Sequence, residues 1–190
     1  MTWSLTPSWA KEYPVKWGSY NARLDREKDG RTQYIFETPS FKNAFRKNQF
    51  CVVPIQGAIE SCYWGEAAGK IVAFQRKDQK NFFAAGLTDT WTDPKSGEIH
   101  ESVTLMTDAP YEYFFKNGHD RSILAFQEER IEELLCHKER KVHESLKFIR
   151  ANRRSYEWTF QIERELKEGW QKRAPSPEEI EAIGQNVFQR

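Results

Sequence analysis

Cys51-Val52-Val53-Pro54-Ile55-Gln56-Gly57-Ala58-Ile59-Glu60 reads as a buried strand that halts at a glycine and delivers a carboxyl group just beyond it. The Val and Ile content of residues 49–56 suits a pleated, packed segment, and Gly57 marks a turn or a close backbone approach. On the N-terminal side, residues 40–45 read as a helix start, with Phe41, Ala44 and Phe45 at helical spacing. Residues 3–9 alternate and then break at Pro7-Ser8, and residues 20–24 form a short segment before the polar loop at Lys28-Asp29-Gly30. On the C-terminal side, residues 70–76, 82–87 and 102–106 are apolar runs of strand length. Residues 93–97 are a turn between extended segments, and residues 109–115 a short helix ending at Asn117-Gly118. Up to about Arg121, strands alternate with short helices. The expected fold is a mixed, largely antiparallel α+β core.

Past that point the period changes. Ile131, Leu134, Leu135, Val142, Leu146 and Ile149 mark one helical stripe; Trp158, Ile162, Leu166 and Trp170, at steps of four, mark a second. Residues 174–177 are a linker into a last helix. There Ser176 suits the cap, Pro177 the first position, and Glu179 the closing residue of a capping box. The chain thus divides into a core over residues 1–125 and a helical C-terminal extension over residues 126–190.

A length of 190 residues suits one domain with an appendage. Seven Trp, thirteen Phe and seven Tyr supply large rings either for core packing or for stacking on unpaired bases. With 29 basic and 28 acidic side chains, the net charge of +1 does not by itself announce a nucleic-acid binder. Lys42, Arg46 and Lys47 still provide for a local basic face. Three cysteines in no framework spacing, and no apolar stretch of membrane or signal-peptide length, point to a reduced, cytoplasmic protein. No metal is expected: Cys136-His137 with His143 lacks a second ligand pair at a recognised spacing.

An amide, a carboxyl and an imidazole close apolar segments at Asn21, Glu60 and His119, and together they could do acid–base work. Glu60, near apolar surroundings, would have its pKa raised by desolvation; on pattern alone it also fits a solvent-facing strand end. His119 follows Asn117-Gly118 and precedes Asp120-Arg121, so a tight turn could fix its tautomer, or leave it an exposed loop histidine. Arg23 and Arg121 fit phosphate contacts or ordinary surface positions. A Cys–His nucleophile drawn from Cys51 or Cys62 with His119 is conceivable, although Cys51 begins a buried strand, where free cysteine acts as a small hydrophobe.

Taken in order, Asn21-Ala22-Arg23, the run from Cys51 to Glu60 and His119-Asp120-Arg121 resemble the motifs of the SOS response-associated peptidase (SRAP) family of abasic-site DNA-binding proteins. The segments at residues 3–9, 41–45, 82–87 and 107–109 are similar to further family blocks. The resemblance implies a β-barrel-like core around a narrow cleft for single-stranded DNA. It implies that an N-terminal cysteine condenses, through its amine and thiol, with the aldehyde of an abasic site into a thiazolidine crosslink. Asn21 would orient that N-terminus, Glu60 would shuttle protons, and His119 would assist at the sugar hydroxyl. Pro7 and Trp9 would line the DNA path, and Arg23 and Arg121 would hold phosphates. No cofactor and no membrane partner are implied.

The chain departs from the family pattern at several points. Thr2 stands where the family's cysteine follows its initiator methionine, so the expectation is that the N-terminal segment carrying the nucleophile is missing and comes from upstream or from a separate polypeptide. Ser61 replaces the aromatic that follows the glutamate, Ser122-Ile123 replaces a Met-Pro pair, and Pro39-Ser40 replaces an expected basic residue. These changes suggest a divergent, phage-related member located in the cytoplasm and on damaged DNA. The expected function is abasic-site processing on single-stranded DNA. The alternative is a non-catalytic single-strand-binding or interaction module that has lost the nucleophile, and a protein-directed peptidase has no support in the chain.

Overall fold

The computed structural model describes residues 1–137 and 139–188. Its strands are β1 (Thr2–Trp3), β2 (Asn21–Arg23), β3 (Asp25–Lys28), β4 (Arg31–Tyr34), β5 (Phe50–Ile55), β6 (Gly57–Cys62), β7 (Lys70–Arg76), β8 (Phe82–Thr92), β9 (Ile99–Asp108), β10 (Ser122–Ile123) and β11 (Trp158–Glu165). Its helices are α1 (Lys42–Arg46), α2 (Glu112–Lys116), α3 (Ile131–Cys136), α4 (Val142–Ala151) and α5 (Pro177–Phe188). This is the mixed, antiparallel-rich α+β fold expected; the strands form open sheets, and among the described residues none closes into a barrel. No described helix is long and apolar enough to cross a membrane.

The chain forms two compact units, one of residues 1–53, 83–107 and 124–154, the other of residues 54–82, 108–123 and 155–190. The first is built on the strand order β1-β9-β8-β5, with β2 also pairing β9. Strands β1 and β2 run parallel to β9, whereas β8 runs antiparallel, with Gly86 opposite Leu105. The hairpin β3–β4 turns at Asp29-Gly30, both with positive φ, which a twisted two-residue turn demands. Leu24, Phe45, Phe50, Leu87, Met106, Phe126, Leu134 and Ile149 are all buried in its core. A polar anchor completes it: the Asn48 amide donates to the Arg140 carbonyl at 2.8 Å and accepts from the Ser145 hydroxyl at 2.6 Å.

The second unit holds the sheet β11-β7-β6, all antiparallel. Gly57 fulfils its expected role, since a Cβ there would lie 2.5 Å from the Phe74 carbonyl oxygen. Phe74 stacks on Phe114 at 4.0 Å, and Trp158 meets Phe114 edge-on at 5.2 Å. The last helix starts as its sequence predicts: the Ser176 N–H donates to the Glu179 carboxylate at 2.7 Å, and the Glu179 N–H donates to the Ser176 hydroxyl at 3.2 Å.

Two expectations for the tail are corrected. The second helical stripe is interrupted, because Trp158–Glu165 is strand β11, paired with β7 from Trp158 opposite Arg76, with a register shift between Ile162 and Arg164. Trp158 and Ile162 are four apart, a spacing that one helix face and one strand face share; Thr159, Phe160 and Ile162 favour the pleated surface. The first stripe belongs to two helices, because α3 ends at Cys136 and α4 begins only at Val142.

Candidate active site

The carboxyl of interest lies within a strand rather than at its end. Only Gln56 separates β5 from β6, and Glu60 is the fourth residue of β6, opposite Val72 of β7. Side chains alternate across a strand, so Glu60 shares its face with Ala58 and Cys62, and with Val72 and Phe74 across the ladder, all four buried. That apolar setting has an electrostatic consequence. Burial pushes the Glu60 carboxyl above the usual carboxylate range, outweighing the pull of His119 and Arg121, while Asp120 pushes it further up.

The imidazole reaches this carboxyl through a backbone that only glycine allows. Gly118 has a φ of +96°, and a Cβ on it would lie 1.9 Å from the Trp64 carbonyl oxygen. Its carbonyl accepts the Tyr63 N–H at 2.8 Å, which lays the loop along β6. His119 is then 4% exposed, not the exposed loop histidine its surroundings in sequence also allow. Its Nδ1 lies 3.0 Å from the Ser61 carbonyl oxygen. A carbonyl can only accept, so Nδ1 carries the hydrogen and Nε2 is directed elsewhere. Nε2 lies 3.2 Å from Glu60 Oε2, within ion-pair reach though outside hydrogen-bond alignment. A carboxyl and an imidazole this close are placed to work together as proton donor and acceptor.

The other candidates separate by unit. Arg121, half-buried, joins Glu60 and His119 in the second. Asn21, exposed at the start of β2, and Arg23, half-buried and engaged by other groups, belong to the first. Pro7 is buried in a turn, where its carbonyl accepts the Ala10 N–H at 2.8 Å. It shapes the turn that carries Trp9, which is 48% exposed.

Trp17 was not singled out by the sequence. It is 41% exposed and stacks on Trp9 with centroids 6.0 Å apart and planes 9° from parallel, while its N–H donates to the Ser40 hydroxyl at 3.1 Å. A large ring in the polar run Lys16-Trp17-Gly18, with no apolar periodicity around it, was the available signal.

Cys51 and Cys62 make poor nucleophiles. Burial pushes the Cys62 thiol up to about 12, helped by the Glu60 charge, and the Cys51 thiol up to about 11. Neither supplies thiolate near neutrality, which overturns the Cys–His pairing conceivable from sequence.

A family model described as SOS response associated peptidase (SRAP) matches residues 1–167. Among solved structures, a protein from Bordetella bronchiseptica superposes with a TM-score of 0.63 at 19% identity, over 84% of this chain and 74% of its own. One from Bacteroides thetaiotaomicron does so with a TM-score of 0.62 at 23% identity, over 92% of this chain and 71% of its own. A phage-related protein of Bordetella bronchiseptica gives a TM-score of 0.54 at 15% identity, over 84% of this chain and 68% of its own. These likenesses establish a shared fold. No curated protein sequence matches.

Proposed function

The chain belongs to the SOS response associated peptidase (SRAP) family, and from that premise we propose that it acts on abasic sites in single-stranded DNA, with Glu60 and His119 as its proton-handling pair. Membership ties the protein to DNA damage and abasic sites. The observation that carries the finer reading is the approach of His119 Nε2 to Glu60 Oε2, 3.2 Å across in an apolar setting.

An abasic sugar is mostly a closed ring, and its aldehyde appears only when a proton leaves the anomeric hydroxyl and another reaches the ring oxygen. A paired acid and base performs both transfers. An amine then adds to the aldehyde, and loss of water from the carbinolamine, with Glu60 donating the proton, leaves an imine. Where the amine belongs to an N-terminal cysteine, its thiolate adds to the imine carbon and the imine nitrogen takes up a proton, which closes a thiazolidine. Cys51, Cys62 and Cys136 carry their nitrogens in peptide bonds and offer no amine, so the durable link requires a cysteine at an N-terminus. Asn21 orients that terminus, and Arg23 and Arg121 hold phosphates.

A second reading, a single-strand-binding module without covalent chemistry, is favoured by the raised thiol pKa values of Cys51 and Cys62. Both readings need unpaired bases. Fluorescence anisotropy with labelled single-stranded and duplex oligonucleotides tests that requirement: single strands bind at least tenfold more tightly, Trp9→Ala weakens binding severalfold, and Arg121→Ala flattens the salt dependence by roughly 0.7 in log–log slope. Equal affinity for duplex and single strand would overturn both.

A further inference from the structure

The face of the β11-β7-β6 sheet turned away from Glu60 carries a cavity of about 750 Å³. Its floor is a row across the sheet: Ser61 lies opposite Ile71, and Ile71 opposite Arg164. Tyr63, Trp170 and Arg173 also line it. Ser61 stands where the family resemblance expects an aromatic, and the small side chain leaves the floor open. Trp170 and Tyr63 bring rings to the same space from elsewhere, their centroids 6.4 Å apart.

Trp170 is held in place. A Cβ on Gly69 would lie 3.0 Å from its indole, so the missing side chain at Gly69 is what seats the ring. The Leu166 N–H donates to the Gly69 carbonyl at 2.8 Å and fixes the segment leading to it. Arg164, Lys167 and Arg173 bring three cations to the cavity against the carboxylates of Glu165 and Glu168, and Glu165 is already paired with Lys70 at 3.0 Å. Trp170 and Arg173 lie beyond residue 167, where the family match ends, while Ser61, Tyr63, Ile71 and Arg164 lie within it.

We propose that this cavity is a nucleotide subsite for the DNA strand, taking a base against Trp170 and Tyr63 and the adjoining phosphates on Arg164 and Arg173. The inference rests on the single-strand reading above and extends it to a second station. Rings flanked by guanidinium groups are the chemistry that holds unpaired nucleotides without sequence preference. The connection to the acid–base pair is direct. Strand β6 is an edge of its sheet, and the Ser61 carbonyl that fixes His119 belongs to the residue that floors the cavity. A strand passing over this edge presents an abasic sugar to Glu60 on one face and a neighbouring nucleotide to the cavity on the other.

The test is anisotropy titration of the full chain with a fluorescein-labelled single-stranded oligothymidylate. Arg164 and Arg173 are exposed, so the double variant Arg164→Glu/Arg173→Glu keeps its fold; it should bind about tenfold more weakly with a shallower salt slope. Trp170→Ala should lose about tenfold and Trp170→Phe should recover most of that, while the charge reversal, which leaves the ring on Gly69 untouched, separates strand binding from lost packing. If the wild type binds the oligonucleotide and Trp9→Ala weakens it while the double charge reversal binds like wild type, the cavity proposal falls and the single-strand reading stands. If the wild type binds no single strand, both fall.

Discussion

At the scale of single residues, the proposed chemistry turns on a carboxyl largely withdrawn from water, 18% exposed. Glu60 has its pKa raised by burial, so its protonated form is the one the fold prefers. The sign follows from linkage. The stability this group contributes is fully present below the ordinary glutamate range, and it is lost as pH rises through the raised folded value. Glu60→Gln keeps the shape and removes the titration. Its melting temperature should match the wild type at low pH and exceed it by a margin that grows from the ordinary glutamate range through the raised folded value and then levels off. A constant offset across that range would mean that Glu60 is solvated as an ordinary surface carboxylate. The gain in stability should come with a loss of function, because the buried, protonatable carboxyl is what the proposed chemistry uses.

At the scale of elements, local patterns speak clearly where one physical requirement dominates. The Ser176–Glu179 capping box is such a case, and each of its two reciprocal bonds is present. Ser176→Ala should cost about 1 kcal/mol locally, seen as faster amide exchange in the first turn of α5 with little change elsewhere. Protection there equal to the wild type would show that the cap contributes nothing. Gly57 and Gly118 were also legible, since only close backbone approach or a left-handed turn explains a glycine at the junction of two strands or before a histidine. Strand β11 was not. Its hydrophobic spacing satisfies a helix and a strand alike, and what decides is the partner strand β7, about 90 residues earlier, with which Trp158 to Glu165 are paired. No local window contains that information. The break between α3 and α4 was hidden similarly, because apolar residues continue in phase across it.

At the scale of the whole molecule, sequence order and spatial grouping part company. Glu60 and His119, 59 positions apart, meet at 3.2 Å in one compact unit, and the intervening strands β7 to β9 and helix α2 say nothing of it locally. Asn21 and the Trp9–Trp17 stack belong to the other unit. The most direct test of the central claim is the rate at which the chain beginning at Met1 condenses with an abasic single-stranded oligonucleotide. It should be followed with borohydride trapping, which reduces an imine to a stable amine, and without it. The account predicts a trapped adduct in borohydride, no heat-stable adduct without it, and trapping at least tenfold slower in Glu60→Gln, the lower end of what a general acid–base group contributes. A heat-stable adduct formed without borohydride, or trapping by Glu60→Gln at the wild-type rate, would contradict it.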